Sequence, residues 1–413
     1  MNNTELTTLL VPLAAVIAPI LAALISRVLV IPLVVFEIAL GMAIGPSGLG
    51  WVSDSATLDV LSQFGLAALF FMAGNEIDPG ILRGRAAGKA LGWWGVSAVL
   101  ALAAGFAIAG RLGEDTEAAI IIAVALTGTA LGTIMPMLRD AGLTRTPLGQ
   151  VISVTGAIGE FAPLVAISVF LSGRQPLAGT LVLVIFLALA AVAFWAARRG
   201  PHHWLKRMVS LTLHTSGQFA VRFVLLLLAA LVSLAIALGV DFLLGAFTAG
   251  MLARAVLQGG DPEEMRVIEA KLDSVVFGFL VPIFFVSTGI TFPLTALLGE
   301  PETLILLPLM AALMLVVRGV PGWFVAAKGT NASDRRTVAL FSATTLPLVI
   351  AVTAIGTDHG ILDETLAAAM VGAAMLTVML LPMLALVGRS RGTSQAAAPE
   401  APAGQPYTPS VHE

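Results

Sequence analysis

The sequence predicts an all-α, polytopic membrane protein, and three observations carry that prediction. Of 413 residues, 58% are hydrophobic and 11% are charged, against about 25% charged in an ordinary soluble domain. Thirteen apolar runs of roughly bilayer-crossing length follow one another along the chain. Lysine and arginine gather in alternate connections between those runs, as inner loops require. A mean hydropathy of +0.97 leaves too little polar surface to cover a water-soluble globule, and it excludes disorder. Twenty-two Lys and Arg against 25 Asp and Glu do not make the basic surface a nucleic-acid partner needs. With no cysteine and five histidines outside the apolar runs, neither a buried metal site nor a cofactor is expected.

Taken in order, the runs cover about 8–26, 28–45, 58–77, 86–110, 116–138, 147–172, 177–198, 216–239, 240–256, 270–290, 303–327, 337–356 and 361–388. The first has no Lys or Arg before it and lacks the basic flank of a signal peptide, so it counts as a span. Placing the N-terminus outside puts eighteen Lys and Arg on inner segments and only Arg111 and Arg174 on outer ones. An odd number of spans then leaves the C-terminus in the cytoplasm. Five of the six Trp fall at or near inner helix ends, as interfacial anchors do. The basic stretch 200–215 reads as an inner connector lying on the membrane surface. Residues 1–391 form the membrane domain, and the Ala/Pro-rich tail 392–413 is expected to be disordered.

An internal repeat organises these spans. LDVLSQFGLAALFFMAGNEIDP (58–79) and LDSVVFGFLVPIFFVSTGITFP (272–293) share Leu, Asp, two Phe and Pro at a constant offset. They enter the membrane from opposite sides. Six spans (8–172), a linker helix (177–198) and six spans (216–388) thus predict an inverted repeat, the architecture of many secondary transporters. The fifth span of each half carries hydroxyls and helix breakers near mid-depth. Thr127, Gly128, Thr129, Gly132, Thr133 and Pro136 lie in the first, and Ser342, Thr344, Thr345 and Pro347 in the second. Broken backbone at that depth is tolerated where it lines a cavity or binds an ion. Close helix packing by small residues is the alternative.

Charges inside the bilayer are costly, so each is a functional candidate. Glu160 sits at the centre of its span in SVTGAIGEFAPLV, a stretch that also holds Thr155, and Arg318 lies mid-span in LMLVVRGVPGWF. A carboxyl group withdrawn from water holds a proton more readily than one in bulk solvent. Such a group can bind a proton or a monovalent cation in competition. Arginine cannot lose its proton at physiological pH, so Arg318 is read as compensating charge. A buried Glu–Arg pair kept for packing specificity is the alternative. Glu37 and Glu76 lie in or at the end of spans two and three, with helix-end hydrogen bonding as the simpler reading. Arg222 is near an inner end and snorkels.

These residues resemble the monovalent cation:proton antiporters, in particular the second of two large sodium/proton-exchanger-type families, which includes bacterial glutathione-gated potassium efflux proteins. The resemblance covers about 8–388. It rests on PLVVFEIALGMAIGPSGLG (32–50), FFMAGNEID (70–78), TGTALGTIMPML (127–138), FLLGAFTAGMLA (242–253) and LVPIFFVSTGI (280–290). It implies two crossed broken helices in a mobile core beside a dimerisation domain, a homodimer, and exchange of K⁺ or Na⁺ for H⁺ across a bacterial cytoplasmic membrane. Glu160 then takes the essential carboxylate position, with Thr127, Gly128 and Thr129 on one broken helix and Thr344 and Thr345 on the other. Arg318 takes the family's basic position, and Glu76 is a possible accessory.

Two departures stand out. The family usually has Asp where this chain has Glu160, often preceded by Asp, Asn or Gln where this chain has Gly159. One carboxylate with an arginine implies electroneutral exchange. The efflux members carry a C-terminal nucleotide-binding domain; here a short tail follows the last span and no GxGxxG is present, so regulation by a dinucleotide in cis is not expected. No HExxH, cysteine nucleophile or paired carboxylates support an enzyme. A sodium-coupled organic-solute symporter of related fold and a non-transporting membrane sensor or subunit are the alternatives.

Overall fold

A computed structural model describes residues 3–25, 31–53, 55–77, 85–144, 146–170, 176–199, 207–208, 211–212, 217–257, 262–299, 301–326 and 329–387. The tail 392–413, most of the connector 200–215, and Arg27, Arg83, Arg145, Arg174, Lys206, Lys328, Arg389 and Arg391 from the charge pattern lie outside the described residues.

The chain runs first through α1 (Asn3–Ile25), α2 (Leu33–Ile44), α3 (Ala56–Glu76) and α4 (Arg85–Leu112). Then come α5 (Thr116–Leu126), α6 (Leu131–Asp140), α7 (Pro147–Phe170) and α8 (Pro176–Arg199). Beyond the connector follow α9 (Phe219–Leu238), α10 (Phe242–Leu257), α11 (Pro262–Val275), α12 (Val281–Thr291) and α13 (Leu294–Gly299). The last are α14 (Pro301–Met314), α15 (Val320–Val325), α16 (Ala332–Ser342), α17 (Pro347–Asp358) and α18 (Glu364–Leu386). Turns of π-helix at Val276–Leu280 and Leu315–Gly319 join α11 to α12 and α14 to α15. The membrane explains this all-helical choice, because a helix satisfies its own backbone where water cannot.

Among the described residues, eleven helical segments are long and apolar enough to cross a bilayer. Two more, α2 and α10, are apolar but shorter. At 12 and 16 residues they span roughly 18 and 24 Å at 1.5 Å per residue. Each falls on one of the thirteen apolar runs, as the second run of its half.

The packing of these short helices is reciprocal. Helix α2 of the first half lies along α12 of the second, and α10 of the second lies along α3 of the first. Glycines set both crossings. A Cβ on Gly41 would overlap the Val286 carbonyl oxygen and stand 2.9 Å from Gly289 Cα, and one on Gly250 would overlap the Phe71 carbonyl oxygen and stand 2.7 Å from the Asn75 amide nitrogen. Backbone approaches this close replace the hydrophobic drive that lipid does not supply between helices.

Burial separates the interior from the periphery. In the α5–α6 and α16–α17 segments 83% of an 18-residue apolar stretch is buried, whereas in α1 and α8 17% is. The two broken helices therefore occupy the middle of the protein. Polar caps at connections start several helices: Asp115 accepts from the Ala118 amide (2.9 Å), Asn331 from Asp334 (2.7 Å) and Asp363 from Thr365 (2.8 Å), satisfying amides that have no partner within the helix.

Candidate ion-binding site

Both fifth spans break, and the breaks meet. Thr127 ends α5, and residues 128–130 run non-helically into α6; Ala343 ends α16, and residues 344–346 lead to Pro347 at the start of α17. Proline suits that first helical position, where an amide would have no partner. The Ala130 amide donates to the Thr344 carbonyl at 2.9 Å, and the Thr129 hydroxyl donates to the Ser342 carbonyl at 2.6 Å. Gly128 sits in the crossing, where a Cβ would lie 2.6 Å from Leu348 Cδ2 and 2.9 Å from Thr345 Oγ1.

Glu160 faces this crossing from α7 and is 1% exposed. Its Oε2 accepts from the amide of Leu131, the first residue of α6, at 3.1 Å. A helix N-terminus offers unpaired amides and the positive end of the helix dipole, a favourable seat for a carboxylate. Gly156, one turn earlier, permits the approach: a Cβ there would stand 2.8 Å from Leu131 Cδ1.

The predicted hydroxyls divide into two groups. Thr127, Thr155 and Thr344 donate to carbonyls of their own helices, those of Val124 (2.8 Å), Val151 (2.8 Å) and Leu340 (3.0 Å). By contrast, the hydroxyls of Thr133, Ser342 and Thr345 are buried without a hydrogen-bond partner. Buried polar atoms rarely stay unsatisfied without a reason. These three oxygens retain capacity to take over part of an ion's hydration shell.

Arg318 lies in the π turn between α14 and α15 and is 2% exposed. Its Nε and Nη2 donate to Thr129 Oγ1 at 3.1 and 2.6 Å, and its Nη1 donates to Ser97 Oγ at 3.4 Å. No ion pair joins it to Glu160 among the described residues, so Arg318 meets the crossing through the Thr129 hydroxyl. Ser97 on α4 and Thr377 on α18, which accepts from the Thr345 amide at 3.2 Å, escape sequence reasoning. The only sign of either is a single hydroxyl in an otherwise apolar stretch.

Glu76 lies at the end of α3 and makes no hydrogen bond to the crossing among the described residues. Its Oε1 accepts from Arg139 Nη2 (2.9 Å) at the end of α6, and Arg139 Nη1 reaches Asp273 Oδ2 (3.4 Å) on α11. Arg254, near the end of α10, donates to the Asn75 carbonyl at 2.8 Å. These residues form an ionic cluster at one end of the bundle. Glu37 is buried in α2.

Comparison with known proteins identifies the family and the fold. The sequence model of the family "sodium/hydrogen exchanger, transmembrane" matches residues 13–386. YjbQ of Bacillus subtilis (strain 168), whose name assigns it to the Na(+)/H(+) antiporters, is 29% identical over 405 residues; the match covers 93% of this chain and 63% of YjbQ. The Na(+)/H(+)-K(+) antiporter GerN of Bacillus cereus is 24% identical over 357 residues, covering 85% of this chain and 88% of GerN. Among solved structures, the sodium proton antiporter MjNhaP1 of Methanocaldococcus jannaschii superposes with a TM-score of 0.64 at 16% identity, over 93% of this chain and 97% of that one. The helical fold is thus that of MjNhaP1, and with its family model matched along nearly all of the helical region, the chain belongs to the transmembrane sodium/hydrogen exchanger family.

Proposed function

We propose that this protein exchanges a monovalent cation, Na⁺ or K⁺, for H⁺ across the membrane by alternating access. The observation that carries the reading is Glu160, a buried carboxylate seated on the N-terminus of a half-helix where two broken helices meet. A cation bound to the carboxylate and a proton bound to it give the site the same net charge. Either loaded form can therefore cross a low-dielectric barrier that the bare carboxylate cannot. This equivalence makes exchange obligatory and, with one carboxylate, electroneutral at one cation per proton. Unpartnered hydroxyls and the carbonyls of the breaks complete the cation's shell; oxygen ligands of this kind suit K⁺ and Na⁺ alike.

The reciprocal packing of α2 with α12 and of α10 with α3 supports a six-plus-six inverted repeat with α8 as linker and thirteen crossings. The gathering of Arg139 and Arg254 around the end of α3 supports a cytoplasmic assignment for that end of the bundle, with the N-terminus outside. A homodimer, as the resemblance implies, completes the proposal.

The test is reconstitution into liposomes with an imposed pH gradient, followed by sequential addition of K⁺, Na⁺ and Li⁺. Cation-dependent collapse that Glu160→Gln abolishes is the expected result. No collapse with any ion would overturn the assignment, and a rate that responds to imposed membrane potential would overturn electroneutrality.

A further inference from the structure

Gly159 precedes Glu160 on α7, within a continuous helix where glycine is a poorer helix former than alanine. Its backbone conformation does not call for glycine. The space around it does. A Cβ on Gly159 would overlap Arg318 Nη2 and would lie 2.6 Å from Thr129 Oγ1 and 2.9 Å from Thr129 Cβ. The volume that a side chain at 159 would fill is already occupied by a guanidinium from another half of the sequence and by the threonine at the first break.

The contacts around that volume close on one another. The Thr129 amide donates to the Gly159 carbonyl at 3.0 Å. The Thr129 hydroxyl donates to the Ser342 carbonyl at 2.6 Å and accepts from Arg318 Nε and Nη2 at 3.1 and 2.6 Å. Arg318 is anchored at its other nitrogen by Ser97 on α4. Through its amide and its hydroxyl, Thr129 thus ties α7, both broken helices and the π turn, an arrangement that leaves no room for a side chain at residue 159.

We infer that Gly159 and Arg318 act as a single positioning unit: the guanidinium takes the place of a side chain at 159 and pins Thr129 across the two breaks beside Glu160. In this geometry a side chain at 159 and the guanidinium of Arg318 compete for one volume. A second carboxylate at 159 would displace the guanidinium before it could add a ligand. The functional half of the inference rests on the exchange reading above; the steric half rests on the contacts alone.

The experiment compares Gly159→Ala, Arg318→Lys and the double variant in the full chain. Two quantities are read: the thermal unfolding midpoint in detergent, and the half-saturating cation concentration in proteoliposomes. Lysine ends in one ammonium group and vacates the Nη2 position. Gly159→Ala is expected to lower the midpoint and to raise the half-saturating concentration about tenfold, a change typical of one displaced polar contact. The double variant is expected to lie closer to Arg318→Lys than the combined single effects predict, because touching residues are not additive. Recovery is partial, since Thr129 Cβ still crowds the new methyl group.

Additive effects in both measurements would overturn the inference. So would a Gly159→Ala protein that loses maximal rate and stability with an unchanged half-saturating concentration, the mark of a purely structural glycine. If Gly159→Ala does not fold, a folded double variant supports the unit and an unfolded one overturns it. If the wild type collapses no gradient, the exchange reading fails while the thermal comparison still decides the steric coupling.

Discussion

Substituting alanine for glycine should have opposite signs at two helices of this protein. At Gly250 on α10, a Cβ would overlap the Phe71 carbonyl and stand 2.7 Å from the Asn75 amide nitrogen, where ordinary contact begins at 3.4 Å. Taking the second distance alone, α3 and α10 must part by about 0.7 Å, and a gap of roughly that size forfeits a quarter to a half of each dispersion contact. The crossing holds fully buried Phe70, Phe71 and Phe247. About 50 atom contacts of roughly 0.15 kcal/mol each then lose about 2–4 kcal/mol. Alanine returns about 1 kcal/mol of helix propensity, leaving Gly250→Ala destabilised by about 1–3 kcal/mol, in the usual range for overpacking. At Gly92 on α4 a Cβ meets nothing within 4 Å, and Gly92→Ala keeps the propensity gain without the clash. Thermal unfolding in detergent, followed by tryptophan fluorescence, should show Gly250→Ala falling below wild type and Gly92→Ala rising above it. A midpoint for Gly250→Ala at or above that of Gly92→Ala would refute the close-approach account of the α3–α10 crossing.

The remaining predictions concern polar groups. Thr129→Val removes the acceptor for two arginine donors and the donor to Ser342; it should cost about 3 kcal/mol, since buried guanidinium donors are left unsatisfied, whereas Thr129→Ser should cost about 1 kcal/mol for a lost methyl group. Equal thermal midpoints for the two would count against the Thr129 hub. Arg139→Gln should lower the midpoint by leaving the buried Glu76 carboxylate without the guanidinium that contacts it, and Glu76→Gln combined with Arg139→Gln should recover most of the loss; no recovery would show that the pair is not what matters. At the connection before α18, Asp363→Ala removes the cap of that helix and should cost about 0.5–1 kcal/mol at neutral pH, the low end for an exposed cap. The bond from Thr365 holds the Asp363 carboxyl below its ordinary value. That contribution is complete above the ordinary aspartate range and is lost as the pH falls through the lowered folded value. A wild-type to Asp363→Ala difference that grows on acidification would contradict it.

The helical runs and the two breaks were legible because the bilayer imposes one rule on every span, and hydropathy states that rule residue by residue. Glu160 was legible for the same reason: a lone carboxylate in SVTGAIGEFAPLV has no inexpensive explanation. Arg318 was legible as an intramembrane charge, but its partner was not. Thr129 lies 189 residues away, and hydroxyls at a break look alike in sequence whether they face an ion, a guanidinium or their own helix. Thr127 and Thr155 turn back to helix carbonyls while Thr345 keeps its hydroxyl unpartnered, a distinction made by rotamers and not by residue type. The two π turns were likewise hidden: Val276–Leu280 lies within an apolar run, and the charge of Arg318 in Leu315–Gly319 does not by itself specify a π turn. Gly159 was visible as a departure from the resembling family, but its cause appears only when the guanidinium is seen filling the space.

Helix α6 is ten residues long, and about 12 Å of helix rise separates the Leu131 amide that holds Glu160 from Arg139, which meets Glu76 and Asp273. Those two ends answer to different environments. The Arg139 side chain is 47% exposed, within reach of dissolved ions, whereas Glu160 is buried, where salt screens a charge far less. In the exchange proposed above, a cation therefore acts on the same short rod twice, as a ligand at its buried end and as an ionic atmosphere at its wet one. A plot of rate against cation concentration should contain one component that an inert, untransported salt reproduces and another that it does not.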